Sequence, residues 1–171
     1  AHRQVLSDLG SVIMERADEL SEIDKSRLFL VAMFVQITWQ DLAFPLSAGV
    51  ESFRPAYVTS CPSPSQLQRD VSATLEQMGW SHRVGYVTKE GFSLDLARPV
   101  SKVALEVVGP SRSLVCTETR ERTPNGAMQF ESRLLRSVGW TILHVPFYEW
   151  EGKALAERRE LLMRKLARAR A

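Results

Sequence analysis

The sequence predicts an α/β sandwich built on a mixed sheet, preceded by an αα-hairpin. Three observations carry that expectation. Apolar residues recur at helical spacing in five segments, and they crowd into short β-type runs in four others. Beyond residue 60 the two kinds of segment interleave as α-β-β-β-α-β-α. A stretch dense in proline, glycine and serine separates the first two helices from everything that follows.

Val5, Leu9, Val12, Ile13, Ala17 and Leu20 mark an amphipathic helix over about residues 4–20. Asp24 is placed to cap a second helix, about 25–41, whose Leu28, Val31, Ala32, Val35 and Trp39 are buried types. Such a hairpin suits the last unit of a helical array. From Pro45 to Pro64 the chain is punctuated by Pro, Gly and Ser, and the boundary is expected there, giving a helical segment 1–60 and a second domain 61–171.

Ser63, Pro64 and Gln66 fit the N-cap, N1 and N3 positions of a third helix, with Leu67, Val71, Leu75 and Met78 as its buried stripe and Gly79 as its stop. Trp80–Val87, Phe92–Ala97 and Lys102–Val108 read as strands, the last two joined by the turn Arg98–Ser101. After an irregular stretch, a helix over about 127–138 places Phe130, Leu134, Leu135 and Val138 inward, and Gly139 ends it. Trp140–Val145 is a strand closed by Pro146, and residues 152–168 form a final helix with Leu155, Leu162 and Leu166 inward.

Composition removes several classes of protein. With 171 residues, 44% hydrophobic and 25% charged, the chain has enough apolar material for a packed core and does not read as disordered or collagenous. Its longest apolar run, Leu28–Ile37, is well short of the ~18–20 residues of a membrane span, so a soluble protein with no membrane partner is expected. Cys61 and Cys116 make neither a disulfide framework nor a zinc pattern, and read as free thiols. The chain begins at Ala1 with helical periodicity already under way, and reads as a piece of something longer. No Gly-rich phosphate loop, nucleophile elbow, HExxH or EF-hand pattern occurs. Net charge is −3 over residues 1–60, zero over 61–151 and +5 over 152–171, so cations gather on the last helix, where Arg164, Lys165 and Arg168 suit phosphate contact.

The densest chemistry lies on the hairpin of residues 92–112. Pairing Ala97 with Lys102 would set Asp95 opposite Ala104, with Glu106 its diagonal neighbour on the same, exposed face. Two carboxylates so spaced are the minimum for holding a divalent cation. His144, within a strand, reads as structural. Phe147 and Trp150 read as packing residues, which leaves Tyr148 as the ring for base stacking.

SLDLA, VALEVVGPSR, NGAMQFESRLL and GWTILHVPFYEW, followed by a leucine-rich helix, give residues 63–166 a resemblance to the RAP domain. That module is found at the C-terminus of organellar RNA-binding proteins, often behind helical repeats or FAST-kinase-type helical regions. The resemblance implies a restriction-endonuclease-like fold of the PD-(D/E)XK type, similar also to very-short-patch repair endonucleases. Asp95 and Glu106 match the two metal-binding acids of the nuclease pattern. Val108 stands where relatives place a lysine or an acid, Arg112 replaces a histidine, and Gln66 stands for a helix-borne glutamate. The expected function is therefore a non-catalytic RNA-binding module without a cofactor, in a mitochondrion or a plastid. It would bind rRNA or a transcript, with ribosomal proteins as further partners in a mitochondrial ribosome. Arg98, Lys102, Arg112, Arg120, Arg122, Tyr148, Arg164, Lys165 and Arg168 are its expected RNA contacts. Two alternatives are a divalent-metal-dependent endoribonuclease, with Mg²⁺ on Asp95 and Glu106 and Glu131 as a third acid, and a protein-docking module.

Overall fold

Three of the long helices start at a side-chain oxygen that accepts an otherwise unpaired backbone N–H. Ser21 accepts from the N–H of Asp24, Ser65 from that of Gln68 and Asn125 from that of Met128. The computed structural model describes residues 2–39, 45–59 and 63–169, and the chain divides into two units, Ala1–Pro62 and Ser63–Ala171. No helix among the described residues is long and apolar enough to cross a membrane.

The first unit holds α1 (His2–Glu15), α2 (Glu22–Thr38), α3 (Pro45–Ala48) and α4 (Val50–Thr59), with a 3-10 turn at Ala17–Glu19. Three expectations are corrected here. The first helix ends at Glu15, short of residue 20. The cap of α2 is Ser21, not Asp24, whose carboxylate instead accepts from the Ser21 hydroxyl at 2.6 Å. Within the proline-punctuated stretch, Pro45–Ala48 and Val50–Thr59 are helical. Val50, Phe53, Ala56 and Tyr57 are buried at helical spacing and Tyr57 stacks on Phe29 of α2 at 4.6 Å, so apolar burial outweighs the hydrogen bond that Pro55 removes from α4. Val5, Leu9, Val12 and Val31 are exposed, so neither α1 nor α2 hides its whole apolar stripe. Residues 40–41 and Cys61 lie outside the described residues.

The second unit contains α5 (Gln66–Gln77), β1 (Arg83–Val87), β2 (Ser93–Arg98), β3 (Val103–Val108), β4 (Ser113–Val115), β5 (Arg122–Pro124), α6 (Gly126–Ser137), β6 (Thr141–Pro146), α7 (Phe147–Trp150) and α8 (Leu155–Arg168). The predicted α-β-β-β-α-β-α order is present, with the β4–β5 ribbon and the one-turn α7 added. The main sheet runs β1-β2-β3-β6. Its first two pairings are antiparallel, whereas β3 and β6 are parallel and joined through α6, so the sheet is mixed.

Two helix–strand units share one local solution. Gly79 (φ +71°) and Gly139 (φ +90°) end α5 and α6 in the left-handed region, which an L side chain adopts only at a cost. In each, the next N–H, of Trp80 or Trp140, reaches back to the carbonyl of Leu75 or Leu135, which folds the indole under its helix, and both indoles are buried.

Side-chain alternation and the register sort the sheet into two faces. Leu96, Leu105, Val107 and Val145 form one core with Val71 and Leu75 of α5, Trp150, and Leu161 and Leu162 of α8. Each fully buried leucine contributes about 1.5–3 kcal/mol. Leu155, expected inward, is exposed instead, because α8 starts there and its buried stripe begins only one turn later. The opposite face carries Asp95, Ala97, Ala104, Glu106, Val108, Ile142 and His144. There α6 docks, its Ser132 hydroxyl 3.0 Å from His144 Nε2.

Candidate nucleic-acid interface

The hairpin pairs Arg98 with Val103, Ala97 with Ala104 and Leu96 with Leu105, two residues away from the expected register. A shift of two keeps every side chain on its face but continues toward Asp95 and Glu106 as direct opposites. The regular pairing stops at Leu96. Past it, the acidic side chains take over as acceptors: Asp95 Oδ2 from the Val107 N–H at 2.8 Å, and Glu106 Oε1 from the Asp95 N–H at 3.3 Å.

Glu106 was expected on an exposed face. It is 5% exposed, because α6 covers that face. Burial pushes its carboxyl well above the usual range, reinforced by the nearby Asp95 and Glu131 and opposed by Arg112. Burial also raises Asp95, against the pull of the Val107 N–H, Arg112 and Gln68. Glu106 is thus held toward its uncharged form.

Gln66, the expected counterpart of a helix-borne acid, is not at this site. Its amide serves its own helix, donating to Asp70 at 2.7 Å and accepting from Arg69 at 2.9 Å. Gln68 is there instead. Its oxygen accepts from the Ser65 N–H, closing the cap, and its Nε2 donates to Asp95 Oδ1 at 2.5 Å. The S-x-x-Q pattern occurs twice, from Ser63 and from Ser65, and only the second lets one glutamine serve both the helix and the carboxylate.

Gly109-Pro110-Ser111-Arg112 carries the chain off the end of β3. Pro110 starts a 3-10 turn closed by the Arg112 N–H on Gly109, and the Arg112 carbonyl accepts from the Asn125 N–H at 2.8 Å, at the cap of α6. These bonds set Arg112 beside the first turns of α6, where its Nη2 meets Glu131 Oε2 at 3.0 Å. The Arg112 side chain stays 37% exposed, which leaves guanidinium donors facing solvent. Val108, 1% exposed, offers neither a metal ligand nor a proton acceptor. Among the described residues no group of three or more His, Cys, Asp or Glu side chains is arranged to hold a metal ion. Two of the positions that a divalent-ion centre would use are thus taken, one by valine and one by the ion pair of Glu131 with Arg112.

His144 pairs in register with Glu106. Desolvation, with Arg136, Lys165 and Arg112 nearby, lowers its pKa to about 4, so the ring is neutral and structural.

The remaining expected contacts fall into three groups. Arg122, on the ribbon, lies 5.2 Å from the Phe147 ring and 5.5 Å from that of Tyr148, whose hydroxyl donates to the Arg122 carbonyl at 3.3 Å. Tyr148 is 37% exposed. Arg120, with φ +59°, and Cys116 sit at the exposed ribbon tip. These residues share the C-terminal end of the parallel strands with Arg112, the end where open sheets commonly take ligands. Arg98 and Lys102 do not join them. They flank the β2–β3 turn at the other end, roughly 17 Å away along β3. Lys102 Nζ donates to the Val138 carbonyl at 3.0 Å, capping α6. On α8, Arg164 and Arg168 are exposed, whereas Lys165 is 17% exposed and paired with Glu149 at 2.7 Å. Trp150 packs in the core as expected.

No curated protein matches the chain. The family model of the RAP domain matches residues 105–165, which span β3 to α8 and hold Glu106, Arg112, Glu131, His144 and Lys165, while Asp95 and Gln68 precede the matched segment. The similarity of residues 105–165 to the RAP domain points to a role in binding RNA.

Proposed function

We propose that this chain is a non-catalytic RNA-binding module, its phosphate site centred on Arg112 at the C-terminal end of β3 and β6. One observation carries the reading. A guanidinium sits in the acidic cluster, bonded to Glu131 yet part-exposed, where a nuclease would need an open metal seat. Arg122 and Tyr148 extend the surface with a second cation and a stacking face, and the exposed Arg164 and Arg168 of α8 offer further cations. The RAP match supports RNA as the ligand. In this reading the protein works in a mitochondrion or a plastid on rRNA or a transcript, a setting that rests on the family resemblance alone.

Glu131 stands close enough to Asp95 and Glu106 to act on both carboxyls, which favours a divalent-ion-dependent endoribonuclease as the second reading. Incubating the chain with labelled RNA and Mg²⁺ or Mn²⁺ separates the two. The proposal requires binding that Arg112→Ala weakens about tenfold, on the scale of one charge-assisted contact, with the RNA left intact. Cleavage abolished by Asp95→Asn overturns it.

A further inference from the structure

A cavity with no role assigned so far lies at the opposite end of the sheet. A groove of about 580 Å³, within the range of small-ligand sites, runs between the C-terminus of α5 and one face of α8. Gln77, Trp80, Arg98, Arg159, Met163 and Leu166 contribute most of its side chains. Among the described residues, both charged side chains lining it are arginines, one from the end of β2 and one from α8, and no carboxylate lines it.

Two features mark this groove as more than a gap between helices. Arg159 Nη2 donates to Gln77 Oε1 at 2.9 Å, but its Nε is buried and has no hydrogen-bond partner among the described residues. A buried donor left unpaired is destabilising, and a ligand oxygen would relieve it. Met163, projecting from α8 on the same stripe as Arg159 and Leu166, is 56% exposed, an unbranched, polarisable side chain of the kind that adapts to a flat ring. Two guanidinium groups above an apolar floor suit an anion that carries an apolar, planar body. A nucleotide has both parts.

We propose that this groove is a second RNA site, in which Arg98 and Arg159 take a phosphate and the Trp80–Met163–Leu166 floor takes the base attached to it. The inference rests on the RNA-binding reading and adds to it: the domain grips one RNA strand at two points, the Arg112 end and the Arg98 end of the same sheet. It also gives Arg98 a partner cation that the order of residues along the chain does not reveal.

The test compares two exposed apolar residues of the same helix. Met163 lines the groove and Leu155 does not, so Met163→Glu and Leu155→Glu change the charge equally while only the first enters the groove. Affinities of the full chain are measured by fluorescence anisotropy with a single-stranded RNA of about 12 nucleotides, within the span that single domains cover. Met163→Glu should weaken binding about tenfold, the scale of one lost base or phosphate contact, and Leu155→Glu by less than about twofold. Arg98→Ala, which removes an exposed cation and no core contact, should weaken binding severalfold. Equal effects of the two glutamates, or none from Met163→Glu while the unmodified chain binds RNA, overturn the groove and leave the Arg112 site standing. An unmodified chain that binds no RNA overturns the functional reading and the groove with it. Displacement of the RNA by an equal concentration of a polyglutamate peptide overturns the groove in favour of an acidic protein partner.

Discussion

Lowering the pH from 7 to 4 tests the electrostatics of the α6 face through His144. Desolvation and the cations Arg136, Lys165 and Arg112 depress its pKa from 6.5 to about 4 in the folded chain. As the pH falls below about 6.5, the unfolded chain takes up the proton first, so the stability His144 contributes is complete above that pH and is lost progressively down to about 4. A shift of this size corresponds to about 3 kcal/mol at about 1.4 kcal/mol per pH unit, and solvent screening of a half-buried ring reduces it to about 2 kcal/mol. Burial raises the carboxyls of Asp95 and Glu106, whose contributions change with pH in the opposite sense, so the measurement is a difference. Urea unfolding of the unmodified chain and of His144→Gln, whose amide oxygen can still accept from Ser132, is followed by circular dichroism at each pH unit from 4 to 7. Relative to the variant, the unmodified chain should lose about 2 kcal/mol between pH 7 and pH 4. Parallel curves would mean that His144 is charged in the folded protein, and the argument that this face is dry and cation-rich would fail.

Other consequences follow from the acidic cluster. Glu106 has a raised carboxyl, so its share of stability is complete below about pH 4.5 and is lost as the pH rises through the folded value; Glu106→Gln should therefore raise the melting temperature at pH 8 more than at pH 4.5, and equal effects at both would show an ionised Glu106. Gln68→Ala removes a cap acceptor and a donor to Asp95 together and should cost about 1–2 kcal/mol in urea unfolding, while a change under about 0.3 kcal/mol would show that neither bond matters.

Much of the second unit was legible because its strands are short apolar alternations and α5 and α6 each end in Gly-Trp. The face shared by Asp95 and Glu106 followed from period-two alternation alone. Their exact opposition did not, because the link from Pro99 to Lys102 is a 3-10 turn closed by a left-handed Lys102 (φ +49°), which shifts the pairing by two residues without flipping a face. The burial of Glu106 was hidden because it depends on α6, twenty residues further along the chain. Gln68 was missed for a different reason: its motif is repeated two positions apart, and only contact with Asp95 distinguishes the copies. The separation of Arg98 and Lys102 from Arg112 was readable from strand length, since the first two flank the turn and the third lies past the far end of β3. In the first unit, Pro45 and Pro55 read as breaks, yet Pro45 opens α3 and Pro55 is outweighed by the buried face of α4.

Arg112 as a phosphate ligand, where a nuclease would hold a metal, is tested most directly by a salt titration of RNA affinity in the presence of Mg²⁺, comparing the unmodified chain with Arg112→Ala. The account predicts intact RNA throughout, an affinity that falls steeply with rising salt, and a slope of log affinity against log salt that is shallower by about 0.7 in the variant, the loss of one phosphate contact on a single strand. An unchanged slope and affinity in Arg112→Ala, or RNA cut by the unmodified chain, would contradict it.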